Sequence, residues 1–305
     1  MRFIGNKSFA LSHKPRCRAG AVKKKQRFDS TEGEMEDMGI ITISRGSYSK
    51  GKETAEKLAQ VLGYECISRD VLLEASAQFN IPEVKLVRAI HDAPSFFETF
   101  KHGKEKYILY IRKAFLEHVK KDNVVYHGLA GHFFIKGIPN ILKVRITANI
   151  EDRIKEEMRR EQISEKEARY ILKKDDEERR KWSMHLYGID TNDPSLYDIV
   201  LHIDNLKVSD AVEILADMAR RPCFQSTPES RQKINDFHLA AEAYAEIFDR
   251  YPAAEVNCQG AVVTVKIETA LSLEEEVGDK INNLLAGLDG IKEVKVNFVP
   301  FETGD

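Results

Sequence analysis

A chain of 305 residues with 42% hydrophobic content is long enough to bury an ordinary core and to divide into two domains. No segment reaches the roughly 18 to 20 consecutive apolar residues that a spanning helix needs, which excludes a helical membrane span. The formal net charge of -2 hides an uneven distribution, because the first 28 residues carry Arg2, Lys7, Lys14, Arg16, Arg18, Lys23, Lys24, Lys25 and Arg27 with no acid.

That basic stretch, residues 1–37, lacks the apolar run of a secretory signal. It can be read as a nucleic-acid arm, a transit peptide or a disordered tail. A fourth reading, an untranslated stretch before a start at Met35 or Met38, suits the strand that begins directly after Met38. The four cysteines, Cys17, Cys66, Cys223 and Cys258, have no paired spacing, so neither a zinc site nor a disulfide framework is expected and a reducing cytoplasm fits. His127, His132, His185 and His202 have no nearby third ligand, and no metal-ligating residues are assigned.

From Gly39 the chain alternates strand and helix. Gly39-Ile40-Ile41-Thr42-Ile43 is a buried-strand run, and a helical pattern covers Glu53 to Leu62. Between them stands Gly46-Ser47-Tyr48-Ser49-Lys50-Gly51-Lys52. A glycine loop joining a strand to a helix cradles phosphate: its amides point at anionic oxygens, and Lys52 can reach the β- and γ-phosphates of a nucleoside triphosphate. Glu53 occupies the position from which Ser or Thr normally offers a hydroxyl to Mg²⁺, and the nearest hydroxyl is at Thr54.

Further helices are expected over 69–79, 81–90 and 107–119, and strands at 66–67, 123–126, 143–148 and 198–203. Strands separated by helices predict a parallel sheet covered on both faces. The charged block from Glu151 to Lys181 reads as a helix pair, and arginine-bearing helices that close over a phosphate loop supply cations while excluding water. Two prolines and small polar residues mark residues 222–231 as a linker. Beyond it a helix over 233–248, strands at 254–257 and 261–267, a helix over 273–285 and a strand at 291–298 make a small α-β-β-α-β unit, residues 232–305.

Residues 39 to 219 resemble the cytidylate kinase-like group of P-loop nucleoside monophosphate kinases. The resemblance is carried by Ile43-Ser44-Arg45, Ala55-Glu56-Lys57-Leu58-Ala59, Leu62-Gly63-Tyr64, Ser68-Arg69-Asp70, Glu151-Asp152-Arg153-Ile154, Arg160-Glu161-Gln162-Ile163-Ser164, Asp176-Glu177-Glu178-Arg179, Tyr187-Gly188 and Asp193-Pro194-Ser195-Leu196-Tyr197-Asp198. It implies an α/β fold, a P-loop three-layer parallel sheet with a helical lid over residues 38–221, and transfer of the γ-phosphoryl group of ATP to a nucleoside monophosphate. By that resemblance Gly46, Ser47, Tyr48, Ser49, Lys50, Gly51, Lys52, Glu53 and Thr54 form the donor site, with Mg²⁺ bridging the phosphates. Arg153, Arg160 and Arg179 are the lid cations, Asp176 positions an arginine or the acceptor, and Arg69 and Asp70 lie in the acceptor region. One departure stands out: the family's strand continues into Gly-Arg after Val124-Val125, the arginine gripping the acceptor phosphate, whereas this chain has His127-Gly128-Leu129.

The tail resembles a BON domain, through Gln259-Gly260-Ala261-Val262-Val263-Thr264-Val265 and Gly290-Ile291-Lys292-Glu293-Val294-Lys295-Val296. That resemblance implies a small module for a ligand or protein partner. Two functions follow: an ATP-dependent phosphotransferase, or a nucleotide-responsive regulatory protein that has lost acceptor chemistry. Lys52 and the basic lid favour the first, Leu129 and the appended module the second. Nucleic acid is not an expected partner.

Overall fold

The computed structural model describes residues 39–68, 71, 74, 77, 103–128 and 131–299. The basic N-terminal stretch and the helix expected over 81–90 lie outside them, as does the 69–79 helix apart from three positions. Five strands, β1 (Ile40–Arg45), β2 (Glu65–Ile67), β3 (Val124–His127), β4 (Ile141–Ala148) and β5 (Ile199–Ile203), form one parallel sheet in the order β2-β3-β1-β4-β5. β1 is central, and it runs two residues past Ile43, which places Arg45 at the carboxyl edge of the sheet. Ligands of open parallel sheets bind at that edge.

Successive side chains of a strand point to opposite faces, so a strand buried on both faces must be apolar throughout. Ile41, Ile43, Val125, Leu142, Val144 and Ile146 pack on one face against α1 (Gly51–Leu62) and a later helix whose Ala211 and Leu215 are fully buried. Ile40, Val124, Tyr126 and Ile141 pack on the other against α2 (Gly103–Val119), whose Phe115 and Leu116 are wholly inaccessible, and α3 (Gly131–Phe134). Burial of each such large side chain contributes about 1.5–3 kcal/mol. The result is the expected α/β architecture, a parallel sheet with helices on both faces, with α1 closed at its carboxyl end by Gly63 in the left-handed region (φ 72°).

The charged block is a hairpin of α4 (Ile150–Glu161) and α5 (Glu165–Tyr187). Gln162 takes a left-handed conformation (φ 56°) that ends α4, and Ser164 with Glu167 makes a reciprocal capping box that starts α5. The hairpin carries its own small core of Ile154, Ala168 and Leu172.

After α6 (Val208–Ala219) comes α7 (Pro228–Ile247), which starts five residues earlier than the periodicity suggests. Thr227 caps it by accepting from the Ser230 amide, and Pro228 fits the first turn, where no amide donor is needed. The proline-containing stretch before it is hydrogen-bonded to the sheet domain: Asn140 donates to the Cys223 carbonyl at 3.1 Å, Gln225 to the Ala219 carbonyl at 2.6 Å, and Ser226 to Asp122 at 2.6 Å. α7 lies in two cores. Ile234, Ala241 and the capping Phe248 just past its end join the α2 face of the parallel sheet, while Ala243 and Ile247 pack on a second sheet. The described residues all fall within one compact unit.

That second sheet has the order β6-β7-β8, from β6 (Glu255–Gln259), β7 (Val262–Glu268) and β8 (Glu293–Val299), with α8 (Glu274–Leu285) between the last two. β6 and β7 are antiparallel and β7 and β8 parallel. The strand expected from 261 begins one residue later, because Gln259 pairs with Val262 and leaves Gly260 (φ 61°) and Ala261 (φ 67°) as a two-residue turn. Positive φ at both positions matches the right-handed twist of the flanking strands. Buried Asp236 of α7 fixes the turn by accepting from the amides of both residues at 2.9 Å.

Burial alone would raise the Asp236 pKa, but the Ala261 and Gly260 amides and the Gln232 side chain outweigh it and hold the carboxyl below the ordinary aspartate value. A carboxyl depressed on folding stabilises the fold fully above its unfolded pKa of about 3.9 and loses that contribution as pH falls through the folded value. Asp236→Ala is expected to lower stability by about 1–3 kcal/mol at neutral pH, since two turn amides lose their acceptor. In urea melts the gap between wild type and variant should close below about pH 4; a gap independent of pH would show that the carboxylate charge does not hold the turn.

Candidate active site

The loop between β1 and α1 doubles back tightly over Arg45. A Cβ at Gly51 would stand 2.6 Å from the Arg45 Cβ, closer than real contacts allow. Tyr48 (φ 55°) and Lys50 (φ 65°) both take the left-handed conformation that side chains rarely adopt. The Ser49 hydroxyl donates to the Gly46 carbonyl at 3.0 Å, closing the turn. α1 therefore begins at Gly51 and presents the unpaired amides of its first turn at the sheet's carboxyl edge, where anions are stabilised.

The sequence-predicted residues divide into two groups around this loop. Lys52 is exposed, its amine 3.6 Å from Glu56, and Glu53 lies 2.8 Å from Lys57 and 3.9 Å from Lys50. Thr54 is wholly buried, with its hydroxyl donated to the Lys50 carbonyl at 2.9 Å. The lid residues converge instead. Arg153 forms a two-pronged pair with Asp176, both bonds at 2.9 Å, and donates from Nε to the Ser47 carbonyl at 2.7 Å. Arg179 donates to the Arg45 carbonyl at 3.1 Å. Arg160 is more peripheral, its guanidinium 5.8 Å from the centre of the Tyr48 ring. Arg69, Asp70 and Leu129 lie outside the described residues.

Two arginines and two acids stand here that no sequence motif singles out as site residues. Asp175 accepts from the Ser47 hydroxyl at 3.1 Å, and Arg45 reaches toward His127 Nδ1 at 3.4 Å. Glu157 is buried beneath Tyr48, and burial, then a hydrogen bond to Glu157, pushes the Tyr48 hydroxyl above its usual pKa. Arg145 projects from β4 beside Ser44 of β1, which is its partner in the parallel register. A cationic side chain at the carboxyl end of a central strand is the signal that would have found Arg45; Arg145 carries no such local mark.

Two clefts that share Arg45 flank the loop. One, of about 320 Å³, is lined by Ser44, Gly128, Arg145, Asn192 and the Arg153–Asp176 pair. The other, of about 380 Å³, is lined by Ser47, Lys52, Glu157, Arg160 and Asp175. Arg45 and Arg179 line both. Burial lowers the pKa of each, and the charge of Arg179 lowers that of Arg45 further, although guanidinium remains charged throughout. Arg153 has its carboxylate; among the described residues Arg45, Arg145 and Arg179 make no ion pair with one. Half-buried cations held without a direct ion pair, with Arg179 feeling the charges of Asp175 and Asp176 and Arg45 that of Glu56 only at longer range, favour an anion at this place.

Residues 40–205 match the model of the Cytidylate kinase-like family. A cytidylate kinase of Thermoplasma acidophilum is 28% identical over 191 residues, covering 60% of this chain and 96% of the relative. One from Thermoplasma volcanium is 30% identical over 170 residues, covering 55% of this chain and 84% of the relative. A solved structure of an uncharacterized protein from Eubacterium ventriosum aligns with a TM-score of 0.45 at 23% identity, covering 59% of this chain and 97% of that one.

Gly51→Ala tests the loop. Its Cβ must displace Arg45, so a loss of about 1–3 kcal/mol in stability is expected, together with weaker binding of a fluorescent ATP analogue. Unchanged binding and melting would mean that the close approach of Gly51 to Arg45 is not required.

Proposed function

The chain belongs to the cytidylate kinase-like family, and from that premise we propose that it transfers the γ-phosphoryl group of ATP to a nucleoside monophosphate or a similar small acceptor. The observation that carries this is the placement of Arg45 and Arg179, which line both clefts and, among the described residues, make no direct ion pair with a carboxylate. A phosphoryl group passing between two clefts spends its transition state at their junction, with charge spread over its equatorial oxygens. Fixed cations at that junction stabilise the charge without reorganising during the step.

The other residues take roles around that point. The loop amides and Lys52 hold the donor phosphates; the flexible Lys52 stem has to leave Glu56 to do so. Asp176 holds the Arg153 fork flat while Arg153 ties the lid to the Ser47 carbonyl. Arg160 closes the outer side of the donor cleft over Tyr48. Mg²⁺ commonly keeps several waters and takes one or two carboxylates beside substrate phosphates. Asp175 and the Ser47 hydroxyl are hard oxygen donors that fit this pattern next to the loop, better than the engaged Thr54 hydroxyl. When bound, the ion would neutralise donor phosphate charge. Arg69 and Asp70 are assigned to the acceptor region on resemblance.

A second function is favoured by α7, which belongs to both sheets' cores. In it, the kinase-like region 38–221 senses nucleotide and the BON-like region 232–305, joined through 222–231, binds a ligand or partner. A cytoplasmic location suits either function; no helix among the described residues is long and apolar enough to cross a membrane.

ADP formation from ATP and Mg²⁺ with CMP, dCMP, UMP, AMP or GMP separates the two. Acceptor-dependent turnover is expected, falling about 10²–10³-fold in Arg179→Ala, as for loss of one transition-state donor, and strongly in Lys52→Ala. ATP binding without turnover for any acceptor would move the assignment to the nucleotide sensor.

A further inference from the structure

Arg45 and Arg179 line both clefts, whereas Arg145 lines only the one away from the exposed side of the loop. A cation common to both clefts serves the group in transit; one confined to a single cleft serves whatever remains there. Arg145 is held unusually firmly for such a residue. Its Nη2 donates to Asn192 Oδ1 at 2.7 Å, its Nη1 points to the Ser44 and Tyr197 hydroxyls at 3.4 and 3.5 Å, and its guanidinium lies 5.7 Å from the Tyr197 ring centre. Tyr197 is itself fixed, buried and donating to the Thr191 carbonyl at 2.9 Å.

These partners are neutral. They orient the fork without supplying a carboxylate, and among the described residues two of its five N–H donors make no hydrogen bond. The nearby carboxylate of Asp190 is already taken by Arg180 and the Asn192 amide, both at 2.9 Å. The local field is positive: buried His132, whose Nε2 has no partner, is driven down to about 4 by burial and then by the charges of Lys143 and Arg145, and so is neutral at pH 7.

We propose that Arg145, oriented by Asn192, Tyr197 and Ser44, is the anchor for a phosphate group that the acceptor already carries, so that this cleft selects phosphomonoesters over their unphosphorylated counterparts. It rests on the phosphotransfer reading for the word acceptor, and it adds a specificity-determining residue on β4. A planar fork suits a phosphate oxygen pair, and a lysine point charge does not reproduce it. The chemistry of transfer is untouched: the acceptor's terminal oxygen attacks the γ-phosphorus, the bond to the ADP oxygen breaks, and Arg145 holds the acceptor without exchanging a proton.

The test uses the full chain as wild type, Arg145→Ala, Arg145→Lys and Asn192→Ala. CMP and cytidine are titrated by calorimetry with a non-hydrolysable ATP analogue present, and the analogue is titrated separately. In Arg145→Ala the CMP Kd should rise about 30-fold or more, in line with truncating one partner of a buried charge-assisted contact. Cytidine and ATP-analogue affinities should stay within about twofold. Arg145→Lys should recover only part of the loss, and Asn192→Ala should move CMP in the same direction by less. Equal CMP affinity in wild type and Arg145→Ala overturns the assignment, as does an equal loss for cytidine or for the ATP analogue, which would mark Arg145 as structural or donor-side. Failure of wild type to bind CMP, UMP, AMP, GMP or inorganic phosphate also overturns it. Arg145-dependent CMP binding without ADP formation would instead support the anchor and sink the phosphotransfer reading, so the two fail separately.

Discussion

Arg45 is trapped at the end of β1 because Gly51 lies against it with no room for a side chain between them. Much of the site follows from that contact. The loop must fold back over the arginine, which forces left-handed conformations at Tyr48 and Lys50 and brings the start of α1 to the sheet edge. The Arg45 carbonyl in turn receives Arg179 from the lid, so two guanidiniums share one half-buried place. Asp175, Asp176 and Glu56 offset their desolvation and repulsion in part, and an anion between the two clefts would relieve the rest. The tight packing of a glycine thus decides where positive charge accumulates.

The lid is fastened by the loop itself. Tyr48 inserts its ring beside Ile154, Ala168 and Leu172 in the lid's small core, and Ser47 is bonded from its hydroxyl to Asp175 and at its carbonyl by Arg153. A left-handed non-glycine residue costs about 1–2 kcal/mol; burial of an aromatic ring offsets that cost. Loop conformation and lid position are therefore one coupled variable. In the proposed reaction, phosphates entering under the loop amides would act directly on the residues that hold α4 and α5, and so couple the lid to its substrate.

The sequence made the phosphate loop, the parallel strands and the charged helix pair legible for one physical reason, while the order of the strands in the sheet came only with the fold. Parallel strands buried on both faces are unbroken apolar runs, and a glycine loop between such a run and a helix has few other uses. Arg153, Arg179 and Asp176 stood out through their motif; in the fold Arg153 pairs with Asp176, and Arg179 reaches the Arg45 carbonyl. Arg145 was not, because a single charge in β4 reads as an exposed position until the register sets it beside Ser44. The start of α7 was misplaced because Thr227 and Pro228 read as linker residues when they are cap and first turn. Ala261 was misplaced because its positive φ is imposed from outside the strand, by Asp236.

α7 makes the three-stranded sheet more than an appendage. Its Ala243 and Ile247 belong to the core of β6, β7 and β8, while Ile234, Ala241 and Phe248 belong to the core that also holds Phe115 and Tyr126. Against α2 it adds polar contacts: buried His238 meets Glu117, Glu242 lies 3.6 Å from Lys113, and Asp249 just beyond its end takes Lys106. A helix that fills two cores cannot shift for one without disturbing the other, because close-packed interiors do not deform continuously. α2 packs on Tyr126 of β3, the strand that leads to His127 beneath Arg45. Through that chain of contacts, whatever repositions the second sheet bears on the end of the first sheet at which Arg45 and Arg179 stand.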